Sequence, residues 1–182
     1  MASAERQGIH EELERARADL HRLVAEAAAI ELRRRSEGTR WTNQQLLFHM
    51  VFGYMIVRRL LPLVHGFGRL PDRYGRWFAA VLNAGTRPFH GINYLGSCGG
   101  ALVFHGPRLT RQLDRTLERL HQRLDAETDA TFARRMHFPV GWDPFFRDSM
   151  TVAEVYHYAT QHYDFHRAQL TLERDPGSGP YP

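Results

Sequence analysis

Four segments with apolar residues spaced by three and four, and no run of sustained alternation, predict an all-α fold built on four long helices. The length of 182 residues, with 43% hydrophobic and 12% aromatic residues, suits one compact domain that buries most of its unfolded surface without disulfides. The expected domain spans 1–174. The stretch 175–182, with its Pro, Gly and Ser, reads as a flexible C-terminal tail.

The first segment runs from about Glu5 to Arg35, with Ile9, Leu13, Ala16, Leu20, Val24 and Ala27 on one stripe and a stop at Ser36-Glu37-Gly38. The second begins at Thr42 as N-cap, with Gln45 as its capping-box partner and Trp41 and Leu46 as a hydrophobic staple, and runs to about Leu61. His49 falls at the centre of its apolar face. About forty residues follow, of which Pro71 to Ala84 read as a short helix and Gly85 to Gly106, rich in glycine and aromatics, as a loop. The third long helix starts at Pro107 and continues to about Thr128, with Leu109, Leu113, Leu117, Leu120 and Leu124 as its core face. The fourth repeats the capping grammar with Thr151 and Glu154 and extends to about Leu172, carrying His162 and His166 toward the core.

Composition excludes several classes of function. Cys98 is the only cysteine, so there is neither a disulfide framework nor a Cys-x-x-Cys knuckle, and a metal must be held by nitrogen or oxygen. The net charge is +4, yet all 24 basic residues are arginine and lie scattered among 20 acidic ones with no aromatic platform, which speaks against a nucleic-acid partner. The most apolar stretch, Leu46 to Val64, contains His49, Arg58 and Arg59, so it reads as a core helix and no membrane partner is expected. No apolar segment follows Met1-Ala2-Ser3-Ala4-Glu5-Arg6, and the expected location is cytoplasmic.

The chemistry lies in the histidines. His162 and His166, four apart on a helix, share one face, and His49 faces the core from another helix. Three imidazoles on apolar faces are costly to bury without partners, and one divalent ion satisfies all three while leaving a coordination position open. The competing reading pairs each of them with tyrosine hydroxyls or backbone carbonyls. Gly53, one turn after His49, leaves room for an ion or ligand.

Two stretches carry a family resemblance: Trp41-Thr42-Asn43-Gln44-Gln45-Leu46-Leu47-Phe48-His49-Met50 and Gln161-His162-Tyr163-Asp164-Phe165-His166-Arg167-Ala168-Gln169-Leu170. In these, and in chain length and motif separation, the sequence resembles the DinB-like proteins. The resemblance implies an antiparallel four-helix bundle holding a divalent ion, often nickel or zinc, through His49, His162 and His166. Relatives include bacillithiol transferases and mycothiol-dependent maleylpyruvate isomerase, and dimers are common among them. This sequence departs from the family in its long insertion between the second and third helices, so no relative's substrate is transferred.

The expectation is therefore a metal-dependent enzyme of small molecules. It is either a transferase using a low-molecular-weight thiol as cosubstrate on a small electrophile, or a hydrolase using water. The alternative is a non-catalytic dimeric module that binds a ligand or protein, with Leu47, Val51 and Met55 of the second helix as its contact. No residue stands out as the catalytic acid or base. His137 reads as a hydrogen-bonded loop histidine before a further ligand or general acid/base, Asp143 before Pro144 as turn chemistry or a group that orients a ligand imidazole, Glu31 as a remote candidate ligand, and Cys98 as an inert thiol.

Overall fold

The computed structural model describes residues 2–172. In chain order these form α1 (Ala2–Glu26), α2 (Ala29–Arg33), α3 (Asn43–Phe67), α4 (Asp72–Ala84), α5 (Thr86–Val103), α6 (Pro107–Asp125), α7 (Asp129–Phe132), β1 (Arg135–His137), β2 (Ser149–Thr151) and α8 (Val152–Arg167). The expected tail, 175–182, lies outside the described residues. Helices α1, α3, α6 and α8 make a bundle core in which α1 and α3 each pack against α6 and α8.

The bundle is not antiparallel throughout. Contacts of His10 with Asp125 and of His21 with Asp114 run α1 against α6, and Gly53 beside His162 runs α3 against α8. Contacts of Glu12 with His157 and of Asp19 with Arg167 instead set α1 parallel to α8, and His65 beside Glu127 sets the end of α3 at the end of α6. Two parallel neighbours joined in sequence require a crossover, so the chain must return along the bundle between α3 and α6.

That return corrects the expected loop from Gly85 to Gly106. The segment is helical as α5, which packs against α3 and places the carbonyl of Ala101 where Gln44 Nε2 donates to it at 3.0 Å. Glycine lowers intrinsic helix propensity, which is why the sequence reads as a loop, but tertiary contact overrides it. A Cβ on Gly100 would lie 2.2 Å from the Phe48 ring, so the missing side chain is what lets α5 approach α3. The short helix expected from Pro71 to Ala84 is present as α4.

Other boundaries shift for local reasons. The first helix stops at Glu26 because Glu31 Oε2 accepts from the Ala28 amide at 2.7 Å and caps a separate turn, α2. α3 continues through Pro62 to Phe67, beyond the expected end at Leu61. The last helix ends at Arg167 and not near Leu172, because Gln169 and Thr171 leave the axis to bond the segment before α3. Gln169 O accepts from Glu37 N at 2.8 Å, and Thr171 N donates to Asn43 Oδ1 at 3.1 Å. Sequence alternation also misses the ribbon of β1 and β2, three residues each, paired antiparallel with Met136 opposite Met150.

The core runs the length of the bundle, with Leu13, Leu20, Leu113, Leu120, Tyr54 and Val155 fully buried. α3 is the one described helix long and apolar enough to cross a bilayer, and it is packed by α8, α5 and α6 on its successive faces. Leu47 and Val51, expected at a subunit contact, are buried inside the chain. The exposed apolar side chains lie instead on α4 and α5, with Trp77 at 66% and Leu102 at 76% of full exposure.

Candidate metal centre

Two capping boxes fix the register of the site. Thr42 Oγ1 accepts from Gln45 N at 3.3 Å and Gln45 Oε1 accepts from Thr42 N at 3.0 Å, which caps α3 at Thr42, seven residues before His49. Thr151 and Glu154 make the same exchange at the start of α8. Because α3 and α8 run antiparallel, His49 meets His166, and Gly53, one turn later, meets His162, one turn earlier.

The three imidazoles converge. Ring centroids lie 4.9 Å apart for His49 and His162, 4.7 Å for His49 and His166, and 4.6 Å for His162 and His166. One nitrogen from each lies within 4.8 Å of the others, and all three residues are buried. Burial and the neighbouring His166 push His49 down to about 3. Burial likewise holds His162 well below the usual imidazole range and His166 below it. All three are neutral near pH 7, the state in which imidazole offers a lone pair.

The donor set fits a divalent ion. His166 Nδ1 donates to the amide oxygen Gln169 Oε1 at 2.7 Å, which leaves its Nε2 lone pair unused. His49 Nδ1 shares a 3.0 Å hydrogen bond with Ser97 Oγ, again orienting the ring from behind. His162 Nδ1 is buried and has no hydrogen-bond partner, a cost that an ion bound at that nitrogen would remove. A Cβ on Gly53 would stand 2.6 Å from that nitrogen, so the glycine keeps open the space beside it. The cluster is thus able to coordinate a divalent metal through three neutral nitrogens, and three protein ligands leave a position for a reactant.

Four residues that sequence reasoning did not assign complete the surroundings. Trp41, expected only as a staple, stacks on His49 at 4.3 Å between centroids and meets His166 edge-on. Ser97 and Gln169 hold Nδ1 of two ligand candidates. Asp143 comes in from the β1–β2 connection, with Oδ2 3.7 Å from His162 Nε2 and accepting from Tyr158 OH at 3.0 Å, while Oδ1 accepts from Phe145 N at 2.9 Å. Burial pushes its carboxyl up. The Asp-Pro turn is real, yet it also delivers this side chain to the cluster. Only Gln169, three residues after His166, carried a local signal.

The remaining candidates lie elsewhere. His137 donates from Nε2 to Asp72 Oδ1 at 2.9 Å, on the α4 side. Glu31 caps α2, and His157 pairs with Glu12 at 2.9 Å on the α1 side. Cys98 is a free, half-buried thiol, and its neighbour Ser97 is the residue of that stretch that reaches the site.

No curated protein and no solved structure matches the chain. The family model described as "DinB superfamily" matches residues 12–170, a span that takes in all three histidines.

Proposed function

The chain belongs to the DinB superfamily, and from that premise we propose a metal-dependent enzyme whose ligands are His49, His162 and His166. The reaction we assign is transfer of a low-molecular-weight thiol to a small electrophile, with metal-dependent hydrolysis as the counterpart when water takes the thiol's place. A divalent ion, nickel or zinc, supplies the chemistry of lowering the pKa of a bound thiol or water so that it is a nucleophile near neutral pH. Ser97 and Gln169 orient two imidazoles, Asp143 with Tyr158 faces the third, and Trp41 shields the cluster from water. The carrying observation is the convergence of three buried neutral imidazoles, one of them with an unpartnered nitrogen.

The proposal includes a cytoplasmic homodimer. Support for the dimer comes from the exposed Trp77, Leu95 and Leu102 on α4 and α5, and sedimentation of the protein beside Leu102→Asp tests it. Elemental analysis of protein purified without a chelating tag tests the centre, run beside a His162→Ala/His166→Ala variant. Near-stoichiometric metal in the parent and its loss in the variant are expected. A metal-loaded parent is then screened with thiols against electrophiles. A parent that takes up no divalent ion sinks the proposal.

A further inference from the structure

The imidazoles close one end of a cavity of about 470 Å³, a size typical of small-molecule sites. Its polar end is lined by His49, His162 and Asp143. The rest is a sleeve of aromatic and aliphatic side chains, in which Phe52 of α3, Phe78 of α4, Phe89 of α5 and Phe138, Trp142 and Phe146 of the β1–β2 region face one space. The sleeve is held in shape. Trp142 Nε1 donates to Leu82 O at 2.9 Å, and its ring stacks on Phe89 at 3.8 Å with 10° between planes. Phe146 packs against Tyr158 at 4.6 Å, which ties the sleeve to the Asp143 hydrogen bond.

Exposure shows where the sleeve opens. Ile92 on α5 is 70% exposed and Leu63 on α3 39%, and Arg59 is exposed beside them. Arg59 is the one arginine of the lining, and its guanidinium makes no hydrogen bond or ion pair among the described residues. A hydrophilic thiol has no use for such a sleeve, whose burial strength is spent only on an apolar body. An anionic group at the mouth meets a guanidinium free to pair with it.

We infer that the cavity takes an acidic amphiphile as the electrophilic substrate. Its apolar ring or chain lies among Phe52, Phe89 and Trp142, its acid group rests at Arg59, and its reacting end reaches the histidines. The chemistry at the inner end rests on the enzyme reading above, whereas occupation of the sleeve depends on the chain's own side chains.

Fluorescence titration with two dyes tests this on the full chain: the anionic 1-anilinonaphthalene-8-sulfonate and the neutral N-phenyl-1-naphthylamine. Saturable binding at one site is expected for both, tighter for the anionic dye, and persisting in protein stripped with a chelator. Ile92→Glu changes an exposed position, so folding is spared, and it weakens both dyes at least tenfold. Arg59→Gln weakens the anionic dye about fivefold and leaves the neutral one unchanged. Ile30→Ser, on the exposed face of α2, alters neither.

Dye binding indifferent to Ile92→Glu, or abolished by Ile30→Ser, marks surface adsorption and overturns the inference. Equal response of the two dyes to Arg59→Gln overturns the acidic group. Loss of binding on chelation overturns the claim that the sleeve itself holds the ligand. Metal content of the same samples reports separately on the enzyme reading, so its failure is distinguishable from failure here.

Discussion

Two histidine clusters occupy the two antiparallel seams of this bundle, and they differ in burial and in the presence of carboxylates. Between α1 and α6, His10 and His121 stack with Nδ1 atoms 2.6 Å apart, and each ring is backed by an acid. His10 Nε2 lies 3.0 Å from Asp125 and His121 Nε2 lies 2.6 Å from Glu14. Between α3 and α8, no carboxylate among the described residues comes within hydrogen-bonding distance of His49, His162 or His166, and Asp143 stands off at 3.7 Å. The acid-backed pair is a partly exposed clasp between helices, in which each ring also faces a carboxylate from the opposite helix. The other three are buried, neutral and turned inward. Histidines given acids join helices here, and histidines deprived of them are left with lone pairs for a ligand.

The strongest way to break this contrast is to remove each cluster in turn and count metal. His162→Ala/His166→Ala is expected to fall from about one divalent ion per chain to background, while His10→Ala/His121→Ala retains the parent content. Equal loss in both variants would erase the distinction. Sharpening it requires the residues behind the ligands. Ser97→Ala and Gln169→Ala each free a ring that is now held from Nδ1, and each is expected to weaken metal affinity roughly 10–100-fold by competition with a fluorescent chelator. Gly53→Ala places a Cβ 2.6 Å from His162 Nδ1 and forces that ring aside, so a comparable loss is expected with little change in melting of the stripped protein.

Smaller effects belong to the α1 side. Burial raises the Asp19 carboxyl, but hydrogen bonds from Tyr163 and Arg167 outweigh it and leave Asp19 below its usual range. A lowered carboxyl stabilises the fold above the unfolded value near 3.9, and the contribution is lost as pH falls through the folded value. In urea, Asp19→Asn is therefore expected to cost roughly 1–2 kcal/mol near neutrality, with the gap to the parent closing under acid. A gap that widens under acid would refute the assignment. The smallest change is His121→Ala, about 1 kcal/mol, since its partners are half-exposed and water replaces part of what is lost.

The sequence made the ligand candidates legible and left their setting hidden, for a physical reason. Capping boxes at Thr42 and Thr151 and the His-x-x-x-His spacing are local, so they survive reading one residue at a time. The four long helices and α4 follow from apolar periodicity, and the meeting of His49 with His162 and His166 follows from the spacing taken together with the family resemblance. Helix α5 does not, because Gly91, Gly96, Gly99 and Gly100 disfavour a helix until α3 supplies a surface to pack on. Ser97 and Asp143 arrive from elements whose placement depends on the crossover and the β ribbon. Chain direction was the other blind spot, since helical periodicity carries no information on which neighbours run parallel.

That parallel pairing of α3 with α6 has a consequence for how the protein changes over time and under engineering. A 25-residue helix is about 37 Å long, and the chain must retrace most of it before α6 begins. The crossover is thus a mandatory spacer, fixed in reach but not in composition, and the same spacer contributes Phe78, Leu82, Phe89 and Ile92 to the cavity wall. Exchanging the wall-forming positions of residues 68–106 for those of another helical pair of equal span, with Ser97 kept behind His49, exchanges the ligand preference as a cassette while the histidine cluster and the bundle that carries it stay as they are.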